Sequence, residues 1–211
     1  MTNHTDDLGR SGAQRKDLLA FDRSDRWGLI ALLGLFAIVT VVSGVVHPVL
    51  RWVEGAPVPT EVFSPVVVPG LDAAGVEHGL GTYDLLVPVA GVGQRILSIV
   101  PGALVAGGVL LGCWLLLRVM RSIAGGDPFT PANVTRLRGL AGLLVFGSTV
   151  VFFLEMAVTG ALLGTLDLGA LEPGFRLDFP WWPLLSGMVV ALLAEAFKAG
   201  SRLRDDVDGL V

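Results

Sequence analysis

Four apolar runs punctuate the chain, at 28–46, 96–117, 139–166 and 179–197, and polar or mixed segments separate them. The first two carry no charge, and the third and fourth carry one each, Glu155 and Glu195. At ~1.5 Å rise per residue the first two runs reach roughly 28 and 33 Å, matching a hydrocarbon core of ~30 Å. These runs predict an all-α membrane protein, a four-transmembrane-helix bundle. A soluble fold of 211 residues cannot surround four all-apolar helices, because it lacks the polar material to cover them.

The segments between the runs predict smaller elements. Span two extends through 118–124 with helical spacing and meets Gly125-Gly126, where a residue free to adopt positive φ closes a helix; Pro128 then blocks continuation. Thr130-Pro131 restarts a helix, with threonine as N-cap and proline at the first helical position. The hairpin 118–138 should therefore be two helices joined by a tight turn, with a helical tail over 198–211. The loop 47–95 holds two β-favouring stretches, 61–68 and 82–89, each with a proline. They read as edge strands of a small extracytoplasmic β-hairpin. Residues 1–26 are mostly polar and are expected to be a disordered tail. No A-x-A-like site follows the first run, so that run is expected to stay as an anchor.

Charge fixes an expected orientation. Twelve of the fifteen Lys and Arg residues fall in the N-terminal tail (Arg10, Arg15, Lys16, Arg23, Arg26), in 118–138 (Arg118, Arg121, Arg136, Arg138) and after span four (Lys198, Arg202, Arg204). Arg51, Arg95 and Arg176 supply the remainder. The positive-inside bias places both termini and the middle loop in the cytoplasm of a bacterial plasma membrane. Trp27, Trp52, Trp181 and Trp182 stand at run ends, the interfacial depth that suits an amphipathic ring. The hydrophobic share of 53% and charged share of 16% agree with a chain in contact with lipid. A net charge of −4 gives no reason to expect nucleic acid.

Two motifs carry a resemblance: RSIAGGDPFTPAN at 121–133, followed by Arg136, Leu137 and Arg138, and LAEAFKAGSRLRDDVDGLV at 193–211. Together they resemble the bacterial four-span membrane family known as domain of unknown function 2975, over roughly 27–211. Glycine and alanine richness looks like that of a high-GC actinobacterial source. The resemblance implies four helices and brings no activity, cofactor or catalytic residue. For some members it implies a neighbouring gene for a helix-turn-helix regulator, which hints at a regulatory role.

Candidate chemistry is sparse. Intramembrane carboxylates are costly and mark ion or proton pathways by default, which singles out Glu155 and Glu195. Glu155 lies about 25 Å along the helix from Arg138, near the outer boundary, and Glu195 lies at the inner boundary, so they cannot share a site. The structural alternative pairs Glu155 with His47 or Arg95, and Glu195 with Arg118, Arg121, Arg136 or Lys198. Asp127, Phe129 and Asn133 exceed what a turn requires and form a candidate partner-binding surface; the plainer reading has Phe129 packing on the membrane or the C-terminal helix.

Small residues at i, i+4 (Gly108 and Gly112, Gly160 and Gly164, Gly187 and Ala191) permit close helix approach. His47 and His78 have no partners at ligand spacing, Cys113 reads as a small hydrophobe, and no P-loop, H-E-x-x-H or G-x-S-x-G occurs. No enzyme activity, metal or cofactor is expected. Beyond the lipid bilayer, the expected partner is a protein bound at the cytoplasmic face by a regulatory or accessory protein. A small ion- or proton-coupled transporter and a subunit of a larger membrane complex are the alternatives.

Overall fold

A computed structural model describes residues 23–65, 73–75, 80–88, 91–167 and 178–208. It has four long apolar helices and one two-stranded antiparallel sheet, the architecture of an all-α membrane bundle with a small hairpin. Of the expected disordered tail 1–26, residues 1–22 lie outside the described residues, as do 168–177 and 209–211, whereas 23–26 already belong to the first helix.

Helix α1 runs Arg23–Val41, widens into a π-helical turn at Val42–Val46, and continues as His47–Val53. It thus outlasts the apolar run by a further seven residues, past His47 and Pro48. The π turn explains how a proline is tolerated there. Pro48 has no N–H for the Gly44 carbonyl four residues back, and the π turn absorbs the mismatch by bonding the His47 N–H to Val42 O. Gly55, at φ 71°, closes the helix: its N–H meets Trp52 O at 3.0 Å and the Ala56 N–H meets Arg51 O at 2.9 Å.

Strands β1 (Val58–Pro65) and β2 (Leu80–Val87) follow, pairing Val58 with Val87 and Pro65 with Leu80. Both begin two to three residues earlier than the sequence suggests. Pairing starts as soon as the turn at Gly55 releases the chain, and the inward face Thr60, Val62, Ser64 sets the register. Val87 of β2 packs on Val158 and Leu162, anchoring the hairpin to the third helix.

Helix α2 (Val92–Ala124) and helix α3 (Pro131–Gly142, a π turn at Leu143–Gly147, then Ser148–Leu163) have 33 residues each. At roughly 50 Å they exceed a bilayer core of ~30 Å and must project beyond it. Helix α4 spans Trp181–Asp208.

Gly126, at φ 82°, closes α2, with its N–H on Ile123 O (3.0 Å) and the Asp127 N–H on Ser122 O (3.2 Å). Thr130 caps α3, its hydroxyl accepting from the Asn133 N–H. The expected turn is therefore present in its detail.

The helices pack in chain order, α1 on α2, α2 on α3 and α3 on α4. Three contacts set the antiparallel register of α1 and α2: Cys113 Sγ against Leu33 O, Gly44 against Gly102, and the Arg95 guanidinium donating to Trp52 O. At the middle one the two backbones touch, since a Cβ at Gly44 would fall 2.7 Å from Gly102 O. The Gly44 carbonyl, whose usual donor four residues on is removed by Pro48, is the group that rests against Gly102.

The second π turn has a similar role. Val145 of α3 fills the space over Gly187 of α4, where a Cβ would meet its Cγ2 at 2.6 Å. Ser148 and Thr149 donate back to the Leu144 and Val145 carbonyls, keeping this bulge satisfied inside an apolar span. Gly108 and Gly112 face Leu143, whereas a side chain added at Gly160 would meet nothing within 4 Å beyond its own helix.

Candidate functional site

Two ends of the bundle gather the polar side chains. The tail end holds the α2–α3 turn and the last turns of α4; the hairpin end holds β1, β2 and the helix ends beneath them.

At the tail end, a hydrophobic cluster of Val119, Leu137 and Ala194, with Val190 and Phe197 against it, draws α2, α3 and α4 together. Asn133 is 0% exposed. Its amide donates to Pro128 O at 2.9 Å and accepts from the Arg136 guanidinium at 2.8 Å. Phe129 lies over Gly200, where α4 has no side chain to obstruct it, and its ring centre is 5.4 Å from that of Phe197. Arg204 pairs with Asp127. The three candidate partner-binding residues Asp127, Phe129 and Asn133 are thus brought together, and each engages a group of this chain.

They clasp the α4 tail to the turn. Phe129 keeps 40% of its surface exposed, and Leu203 keeps 67%.

Glu195 pairs with Arg138 and, at 3.6 Å, with Lys198. Lys198 was among the cations expected for it, whereas Arg138 was not. Arg138 reaches it because α3 and α4 pack side by side along their lower halves, a proximity that chain position does not reveal. Arg118, Arg121 and Arg136 line a separate hollow of about 410 Å³, with the Arg118 guanidinium 4.9 Å from the Trp114 ring centre.

At the hairpin end, α1 and α3 flank α2 and leave a cleft of about 490 Å³. Ser98, Ile99 and Gly102 of α2 floor it, and Thr60 and Glu61 of β1 roof it. His47 and Arg51 of α1 stand on one wall, and Glu155 of α3 on the other.

The Arg51 guanidinium donates to Pro57 O at 3.0 Å, which fixes its direction. Arg95, from α2, lines the same cleft. His47 and Arg95, expected as partners of Glu155, share the cleft with it, yet no described residue gives the Glu155 carboxylate a hydrogen bond or ion pair. The Thr60 hydroxyl is also unsatisfied: the residue is 6% exposed and its Oγ1 has no hydrogen-bond partner among the described residues. Glu155 and Glu195 are at opposite ends of the bundle, as the sequence implies.

The sequence offered no signal for Thr60, which is one threonine in a loop. Gly44 could have been found, because a glycine four residues before a proline in a span marks a carbonyl without a helical donor. No group of three or more His, Cys, Asp or Glu residues suited to a metal occurs among the described residues.

Four apolar helices, each long enough to cross a bilayer, and a two-stranded cap define a four-span membrane protein. The family described as Protein of unknown function (DUF2975) matches residues 61–211, and the chain belongs to that family. The match starts well after residue 27, where the motif-based resemblance was expected to begin, and leaves α1 outside it. No curated protein and no solved structure matches the chain.

Proposed function

We propose that this chain is a non-enzymatic regulatory or accessory protein of the bacterial plasma membrane, with both termini and the α2–α3 turn in the cytoplasm. In this reading it binds another protein through that end. The carrying observation is the clasp. Asn133, Phe129 and the Asp127–Arg204 pair hold a projecting three-helix end in one arrangement, and that end still presents Leu203 and part of Phe129 to solvent. A fixed surface of apolar and basic side chains is what a protein partner can recognise without paying to order it.

The test is photo-cross-linking in intact cells, with a photoreactive residue replacing Leu203 or Ile123. A discrete protein adduct is expected at these positions and not at Trp27, on the exposed surface of α1. Absence of any adduct at both tail-end positions would refute the reading.

Glu155 gives the transporter reading its one specific support, because an unpaired carboxylate on a spanning helix suits proton or ion binding. Mid-span chemistry weighs against it. Ser148 and Thr149 spend their hydroxyls on their own helix, leaving no polar relay there. Proteoliposomes under a pH gradient should therefore leak no faster than empty vesicles. A flux that Glu155→Gln abolishes would establish transport instead. Membership of a larger complex is compatible with the same clasped surface, and the mass of the cross-linked adduct distinguishes the two.

A further inference from the structure

The cleft at the hairpin end has the chemistry of a binding site that the tail-end reading does not use. A buried hydroxyl without a partner costs free energy in a folded chain, because it loses its bonds to water and gains none in return. Thr60 carries that cost at the roof of the cleft. Glu155 stands on the opposite wall with no cation from the described chain. Arg51 is steered into the cleft by its bond to Pro57 O, which uses one of five guanidinium donors. Positive and negative groups therefore line one cleft, and no described residue pairs with the Glu155 carboxylate across it.

The surroundings narrow what bridges it. Ile99, Val158 and Trp52 give the cleft apolar walls. Its walls belong to spanning helices α1 and α3, so an amphipathic ligand seated there could keep its apolar part in lipid. The volume of about 490 Å³ accommodates a headgroup and its glycerol, within the 300–1,000 Å³ usual for small-molecule sites.

We propose that this cleft seats the headgroup of a zwitterionic, amine-bearing phospholipid in the leaflet nearest the hairpin. Its phosphate lies toward Arg51, Arg95 and the Thr60 hydroxyl, and its ammonium pairs with Glu155. Guanidinium suits phosphate because its forked donors match two oxygens at once. A carboxylate at lipid depth is stabilised by an ammonium held beside it, so the lipid supplies the charge that Glu155 lacks. An anionic lipid without an amine would meet the arginines equally well but leave Glu155 unpaired, and that difference makes the site selective.

The experiment is native mass spectrometry of the full-length protein in detergent, offered phosphatidylethanolamine or phosphatidylglycerol of identical acyl chains. Phosphatidylethanolamine is expected to be retained at least tenfold better. Glu155→Gln should reduce its retention at least fivefold, and Thr60→Val, which keeps the shape and removes the hydroxyl, about threefold. Arg118→Gln, at the tail end, should leave it unchanged. Thermal unfolding of each variant confirms that it is folded, and Glu155→Asp, which keeps the charge, should recover most of the loss.

Equal retention of the two lipids overturns the proposal, as does unaltered binding in both Glu155→Gln and Thr60→Val. Millimolar phosphoethanolamine is expected not to displace the lipid. If it does, the site is one for a free zwitterion and the lipid assignment fails.

Discussion

Replacing Gly102 with valine should loosen α1 from the rest of the bundle and lower stability by about 1–3 kcal/mol. Gly44 and Gly102 cross with their backbones in contact, so an added side chain meets main chain on both sides and has no flexible group to displace. Gly44→Ala should act in the same direction. Pro48→Ala should be milder. It restores an N–H four residues after Gly44, offering the carbonyl a helical partner at the expense of the π turn. Detergent-titrated unfolding followed by circular dichroism measures all three, and a Gly102→Val value within 0.5 kcal/mol of the wild type would contradict the close-crossing account.

The second large effect is expected from Asn133→Leu. The side chain is fully buried and connects the Pro128 carbonyl to the Arg136 guanidinium. Leucine fills similar space but strands the Pro128 carbonyl, at about 1–3 kcal/mol, while Arg136 keeps its bond to Arg118 O. Because the turn carries Phe129 and Asp127, the loss should reach α4. Phe129 leaves Gly200, Asp127 releases Arg204, and the end of α4 frays. Trypsin cleavage after Arg202 and Arg204 should accelerate several-fold while the spanning helices stay protected. Unchanged cleavage would show that the turn and the tail are not coupled. The exposed Arg138–Glu195 pair should matter much less, because water screens it and both side chains lose freedom in forming it.

These two effects also separate what local sequence encodes from what it does not. The turn at 125–131 was legible residue by residue: a glycine for the left-handed position, a proline to stop α2, a threonine to cap α3, a proline to begin it. Each acts on its own backbone within a few residues. Asn133 was noticed as more than a turn needs, but its complete burial and its bonds to Pro128 O and Arg136 appear only in the folded chain. Glu195 shows the same limit. Arg118, Arg121, Arg136 and Lys198 were its expected cations; Lys198 is one, and the other is Arg138 rather than Arg136, because packing sets which face of α3 meets α4. The hairpin was read as present but placed two to three residues late, since strand-forming composition is broad and only pairing fixes register.

By itself the sequence determined four apolar helices, their caps and turns, the hairpin and the opposed placement of Glu155 and Glu195. Hydrophobic run length, glycine and proline geometry and charge position are local properties, and the bilayer's thickness turns the first of them into a helix count. Packing between distant helices set which glycines let backbones touch, which residues clasp the α4 tail, and that Glu155 and Thr60 line one cleft with no partner among the described residues. Those outcomes depend on the register between helices far apart in the chain, and that register is set by packing rather than by any residue's own preference.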